Sequence, residues 1–144
     1  MADATRGVAR LSRQVEITLG DLSLSVSQFR LLDRLSGGSA AGRSLAEWLA
    51  VKPPSITALV DGLVSRGLVE RTADPSDRRR VAHDLTPAGK KLHRDASRAL
   101  AARLAQLVTF AGDESRAGEM IGALAQWNAT IEAARDAKRA EGQR

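Results

Sequence analysis

The sequence predicts a mainly helical protein with one small β-hairpin, and three observations carry that prediction. Apolar residues recur at helical spacing along most of the chain, and two short helical patterns meet at a break marked by Pro53 and Pro54. A basic segment at 69–89, "VERTADPSDRRRVAHDLTPAG", places strand-forming residues on either side of a turn-rich middle. With 144 residues, 43% of them apolar and 27% charged, the composition is that of one ordinary globular domain.

Val8, Leu11, Val15 and Leu19 form one stripe, so residues 6–19 are expected as an amphipathic helix ended by Gly20. Ser25 and Gln28 then have the spacing of a capping box, with Leu24 and Phe29 as a hydrophobic staple, and a second helix is expected from 26 to about 35. "SGGSAAG" ends it. Ser44 and Glu47 repeat the capping-box spacing at the start of a short helix whose buried side holds Leu45, Leu49 and Trp48. After the two prolines, Ile56, Leu59, Val60 and Leu63 stripe another helix that Gly67 stops.

"LVER" and "RVAHDLT" are the two strands of the hairpin, and Thr86 with Pro87 fit the N-cap and first position of a long helix. Leu92, Ala96, Leu100, Leu104 and Leu107 or Val108 mark its apolar side. "AGDES" breaks it, and Asp113, Glu114 and Glu119 supply the negative charge favoured at the start of a last helix. That helix is striped by Met120, Leu124, Trp127 and Ile131.

The net charge of +5 hints at an anionic partner, and its placement sharpens the hint: residues 52–94 hold nine basic against five acidic side chains. The absence of cysteine excludes disulfides, thiolate metal ligands and thiol redox sensing, and two histidines do not make a metal site unaided. No paired carboxylates and no Ser/His/Asp grouping suggest catalysis, so neither an enzyme nor a cofactor is expected. The start, "MADATRGVARL", lacks the apolar core of a signal peptide and no later stretch is long enough to cross a bilayer, so the expected location is cytoplasmic and no membrane partner is expected.

Helix, tight turn, helix and basic hairpin together have the outline of a winged helix-turn-helix, whose second helix enters the major groove. The run "DPSDRR...LTPAG", spaced after "PSITALVDGLVSRGLVER", resembles the MarR family of bacterial transcription regulators, and the helix order is similar over essentially the whole chain. The resemblance implies one MarR-like domain over 1–144. Its DNA-binding lobe would span 22–88, and the flanking helices, 1–21 and 89–144, would interlock two chains as a homodimer. It further implies a regulator, expected to be a ligand-responsive repressor, on a pseudo-palindromic operator in double-stranded DNA.

Carried over by position, Pro54, Ser55, Ile56, Thr57 and Asp61 fall on the recognition helix. Arg79 matches the minor-groove arginine and Asp77 the acid that orients it, while Arg78 and Arg80 are assigned to phosphates. A carboxylate two residues away can hold a guanidinium in one rotamer and so reduce the entropy lost on binding. Lys52 replaces the usual small capping residue and suits a phosphate; Ala50 stands where glycine is usual in the turn; Ala58 replaces a frequent basic residue; and His83 occupies an apolar strand position.

Taken alone, the arginine run reads by default as a solvated loop; the flanking helix-turn-helix and the family spacing reverse that reading in favour of a DNA contact. Two rival readings stand beside this one: a winged helix that binds protein rather than DNA, and an enzyme or small-molecule carrier, for which the chain offers no motif beyond two tryptophans and a possible pocket. His83 is expected to be a partly exposed strand residue, with pH sensing as the alternative, and His93 to lie on the surface. Both tryptophans are expected to pack, or to wall a ligand pocket. Arg10, Arg13, Arg30 and Trp48 are the candidate contacts for a small aromatic or anionic effector.

Overall fold

A computed structural model describes residues 1–73 and 81–142. Its elements are α1 (Ala2–Gly20), α2 (Val26–Ser36), β1 (Ala40–Ala41), α3 (Gly42–Leu49), α4 (Pro53–Ser65), β2 (Val69–Ala73), β3 (Val81–Leu85), α5 (Pro87–Val108), a 3-10 turn (Thr109–Ala111) and α6 (Glu114–Gly142). By internal contacts the chain divides into two units, Met1–Arg103 and Leu104–Arg144, and α5 runs from the first into the second.

Local chemistry sets the helix starts. The Ser25 hydroxyl accepts from the Gln28 N–H at 3.1 Å while the Gln28 carboxamide accepts from the Ser25 N–H at 2.9 Å, so α2 begins with the expected capping box. Such a cap contributes about 1 kcal/mol. Helix α1 starts four residues earlier than its apolar stripe suggests, with Asp3 in the first turn and the Thr5 hydroxyl donating to the Met1 carbonyl at 3.1 Å.

The expected capping box at Ser44 does not form. Helix α3 begins at Gly42 with Ala41 as its N-cap, and Glu47 is held instead by Arg43 at 3.0 Å. The cause lies in strand β1, which was not anticipated from sequence: Ala40 and Ala41 pair with His83 and Ala82 of β3, keeping Ala41 extended until the chain turns helical at Gly42. The hairpin is thereby widened to a three-stranded antiparallel sheet, in the order β1-β3-β2.

The core of the first unit gathers Leu19 of α1, Leu31, Leu32 and Leu35 of α2, Leu45 and Leu49 of α3, Ile56, Val60 and Leu63 of α4, Val69 and Leu85 of the sheet, and Ala96 of α5. Two glycines make its central joint. Gly67 ends the α4 turn at φ +66, a left-handed conformation that glycine adopts without strain. At Gly89, a Cβ would overlap the Leu68 carbonyl oxygen and lie 3.0 Å from its carbon. Thr86 completes the joint: its hydroxyl donates to the Gly67 carbonyl at 2.7 Å and accepts from the Gly89 N–H at 3.0 Å. The "LTPAG" run thus both caps α5 and docks it on the α4–β2 turn.

In the second unit, the Asp113 carboxylate accepts from the Arg116 N–H at 2.8 Å and so starts α6. Along α6, Met120, Ile121, Leu124, Trp127 and Ile131 are exposed in the single chain, Trp127 to 66%. The tryptophan expected to pack is therefore largely exposed among the described residues.

Candidate nucleic-acid interface

Burial divides α4 into two faces. Ile56, Val60 and Leu63 point into the core, which leaves Pro54, Ser55, Thr57, Ala58 and Asp61 exposed on the other side. Of the residues that the sequence assigned to DNA, Ile56 is 5% exposed, and its side chain anchors the helix rather than facing outward with Ser55 and Thr57. Thr57 and Asp61, four residues apart, share one side of the helix.

The start of α4 presents a cation rather than a cap. Lys52 is the N-cap residue, is exposed, and makes no side-chain cap bond. Two prolines remove N–H donors from this helix start, and the Ser55 and Ile56 N–H groups both donate to the Lys52 carbonyl, at 3.0 and 3.3 Å. An anion arriving there meets the Lys52 ammonium more than open backbone N–H groups. In the preceding turn, Ala50 sits at φ 55, ψ 44, a left-handed conformation that costs an L-residue roughly 1–2 kcal/mol.

Beside the helix stands the sheet. Arg71 of β2 is ion-paired to Asp61 of α4, a contact between elements that no local sequence spacing signals. Opposite Arg71 in the β2–β3 register is His83, and it is buried, with 8% exposure, rather than partly exposed as expected. The third strand covers it: His83 Nδ1 lies 3.3 Å from the Ala40 carbonyl oxygen. Burial pulls the imidazole pKa below its ordinary 6.5; the Ala40 contact opposes that shift, Arg71 adds to it and Asp61 opposes it.

The sign of the pH effect follows from this. With the folded pKa lowered, the unfolded chain binds the proton more readily, so stability is fully present above pH 6.5 and is lost as pH falls through the window down to the lowered value. Thermal melts between about pH 8 and 5 should show the wild-type midpoint falling on acidification more steeply than that of His83→Leu. Parallel curves for the two proteins would contradict the assignment.

Asp77, Arg78, Arg79 and Arg80 lie outside the described residues. Of the candidate effector contacts, Arg30 and Trp48 are brought together, the guanidinium carbon 5.6 Å from the indole centroid, while Trp48 is half-buried against the core. Arg10 and Arg13 stand exposed on α1, and Arg13 pairs with Glu16 at 3.3 Å. His93 is not the plain surface residue expected from sequence. Its Nε2 lies 3.1 Å from an Asp33 carboxylate oxygen and its ring stacks on Phe29 at 5.7 Å, tying α5 to α2. Among the described residues there is no cluster of three metal-ligating side chains, and no helix is long and apolar enough to cross a membrane.

Known proteins share this arrangement. An HTH-type transcriptional regulator of Mycobacterium bovis is 35% identical over 111 residues, which cover 74% of this chain and 78% of that protein. CouR from Rhodococcus jostii RHA1, in complex with p-coumaroyl-CoA, superposes with a TM-score of 0.71 at 27% identity, covering 91% of this chain and 87% of CouR. The transcriptional repressor CouR on a 23-mer DNA duplex gives a TM-score of 0.73, also at 27% identity, with 90% and 89% covered. Residues 24–81, from two residues before α2 to the first residue of β3, match the MarR family. With its helix-turn-helix, its three-stranded sheet and these relatives, the chain belongs to the MarR family of DNA-binding, helix-turn-helix transcriptional regulators.

Proposed function

We propose that the protein is a homodimeric, ligand-responsive repressor that binds a pseudo-palindromic operator. The observation that carries this reading is the outward face of α4, where Pro54, Ser55, Thr57 and Asp61 stand exposed behind the Lys52 cation. Two copies of that helix about 34 Å apart would enter successive major grooves on one side of the duplex. Lys52 would take a phosphate. Arg79, oriented by Asp77, would probe the minor groove, with Arg78 and Arg80 on neighbouring phosphates.

Dimerisation is supported by the uncovered apolar side of α6, which a second copy would bury. An aromatic or anionic effector is supported by the Arg30–Trp48 pair and by the ligand of the CouR complex; Arg10 and Arg13 are further candidates for its charge. A coupling of about 1–3 kcal/mol between effector and DNA would change occupancy appreciably.

The arginines give a discriminating test. Arg79→Ala should weaken operator binding by about 1–3 kcal/mol and relax the sequence preference. Arg78→Ala should weaken binding to all sequences alike and lower the slope of log affinity against log salt by about 1. Unchanged affinity in both variants, read by fluorescence anisotropy, would refute the assigned roles.

A further inference from the structure

We propose that Arg71 is a positioning residue for DNA recognition, acting through Asp61; the proposal rests on the DNA-binding reading of α4. Asp61 is the one acidic side chain described on α4, and it lies on the outward side of the helix with Thr57. Left alone, a carboxylate there would face the phosphate backbone with like charge, and the helix would be pushed from the groove. Arg71, reaching across from β2, neutralises it.

The pair's surroundings argue for function over stability. Its members are 53% and 50% exposed, and an ion pair so solvated adds little to folding free energy. It closes one side of a hollow of about 330 Å³ between Thr57, Val60 and Asp61 on α4 and Arg71, Val81 and His83 on the sheet. The planar guanidinium can occupy one carboxylate oxygen and leave the other facing outward, where it can accept a hydrogen bond from a cytosine amino group in the major groove. Arg71 therefore has two effects: it removes a repulsion that acts on every sequence, and it fixes the rotamer of an acceptor that reads one base. The same contact holds the strand leading into the arginine-rich segment against the recognition helix, so helix and hairpin would meet DNA in one geometry.

A mutant cycle tests this on the full-length protein, with anisotropy titrations against an operator duplex, single-base variants of it, and a scrambled duplex. Arg71→Ala should lose on the order of tenfold in affinity, since Asp61 is then unneutralised. Arg71→Lys should recover the affinity for the scrambled duplex but not the base preference on the operator, because an ammonium neutralises without the planar fork. Adding Asp61→Asn to Arg71→Ala should restore affinity for the scrambled duplex, where the repulsion alone acts, while discrimination at one position of each half-site stays lost. Thermal melting should move little throughout. If the double variant remains as weak as Arg71→Ala, Arg71 is a phosphate contact in its own right and the proposal falls; it falls too if Arg71→Ala binds as wild type or melts far below it. A wild-type protein that binds no duplex would instead overturn the DNA-binding reading itself.

Discussion

Gly89→Ala should destabilise the protein by on the order of 3 kcal/mol or more, although it adds a single methyl group to a helix. An exposed helical site would respond in the opposite direction, because alanine is the better helix former by about 1 kcal/mol. At Gly89 that preference is overridden by contact. The new Cβ would overlap the Leu68 carbonyl oxygen, which is backbone and cannot rotate away as a side chain would. Relief requires the first turn of α5 to lift from the α4–β2 joint, breaking the Thr86 bonds to Gly67 and Gly89. Gly7→Ala is the natural control, because nothing lies within 4 Å of a Cβ there. Denaturant melts should show Gly7→Ala unchanged or slightly stabilised and Gly89→Ala strongly destabilised. Equal midpoints would mean that α5 does not sit on Leu68 as described.

Charging the apolar side of α6 should have the largest effect on function. With Leu124→Asp and Trp127→Asp together, the side chains that a second copy would bury become anions, and an unpaired buried charge is strongly disfavoured. The expected result is a chain that scatters light as a monomer at micromolar concentration where the wild type scatters as a dimer. Operator affinity should fall by about a hundredfold or more, since two half-sites no longer share one bound body. Neither change touches α4 or the sheet, so helical circular dichroism should persist. A variant that stays dimeric, or a wild type that is monomeric, would remove α6 from the interface.

What was legible in the sequence was what is local. The Ser25–Gln28 box, the prolines that open α4, Gly67 and the Thr86 cap each act within a few residues, and each falls where its chemistry places it. The two helical faces of α4 also follow from periodicity, which places Ile56 on the buried face. What escaped was set by partners distant in sequence. Two alanines carry no strand signal, and Ala40–Ala41 become β1 only because β3 offers its edge; that pairing moves the start of α3 and buries His83. Asp61–Arg71 and Asp33–His93 likewise join residues on different elements, at spacings that no helix or hairpin rule predicts. The Ser44–Glu47 spacing is a true signature in the wrong context, since the helix had already begun at Gly42.

The most direct test of the account is the affinity of the wild-type protein for a duplex from its own upstream region, followed by anisotropy from about 50 to 200 mM salt with a scrambled duplex alongside. The account predicts two chains per duplex, a log affinity that falls linearly and steeply with log salt, and a preference for the genuine sequence of about a thousandfold or more. Equal binding to both duplexes, or an affinity indifferent to salt, would contradict it.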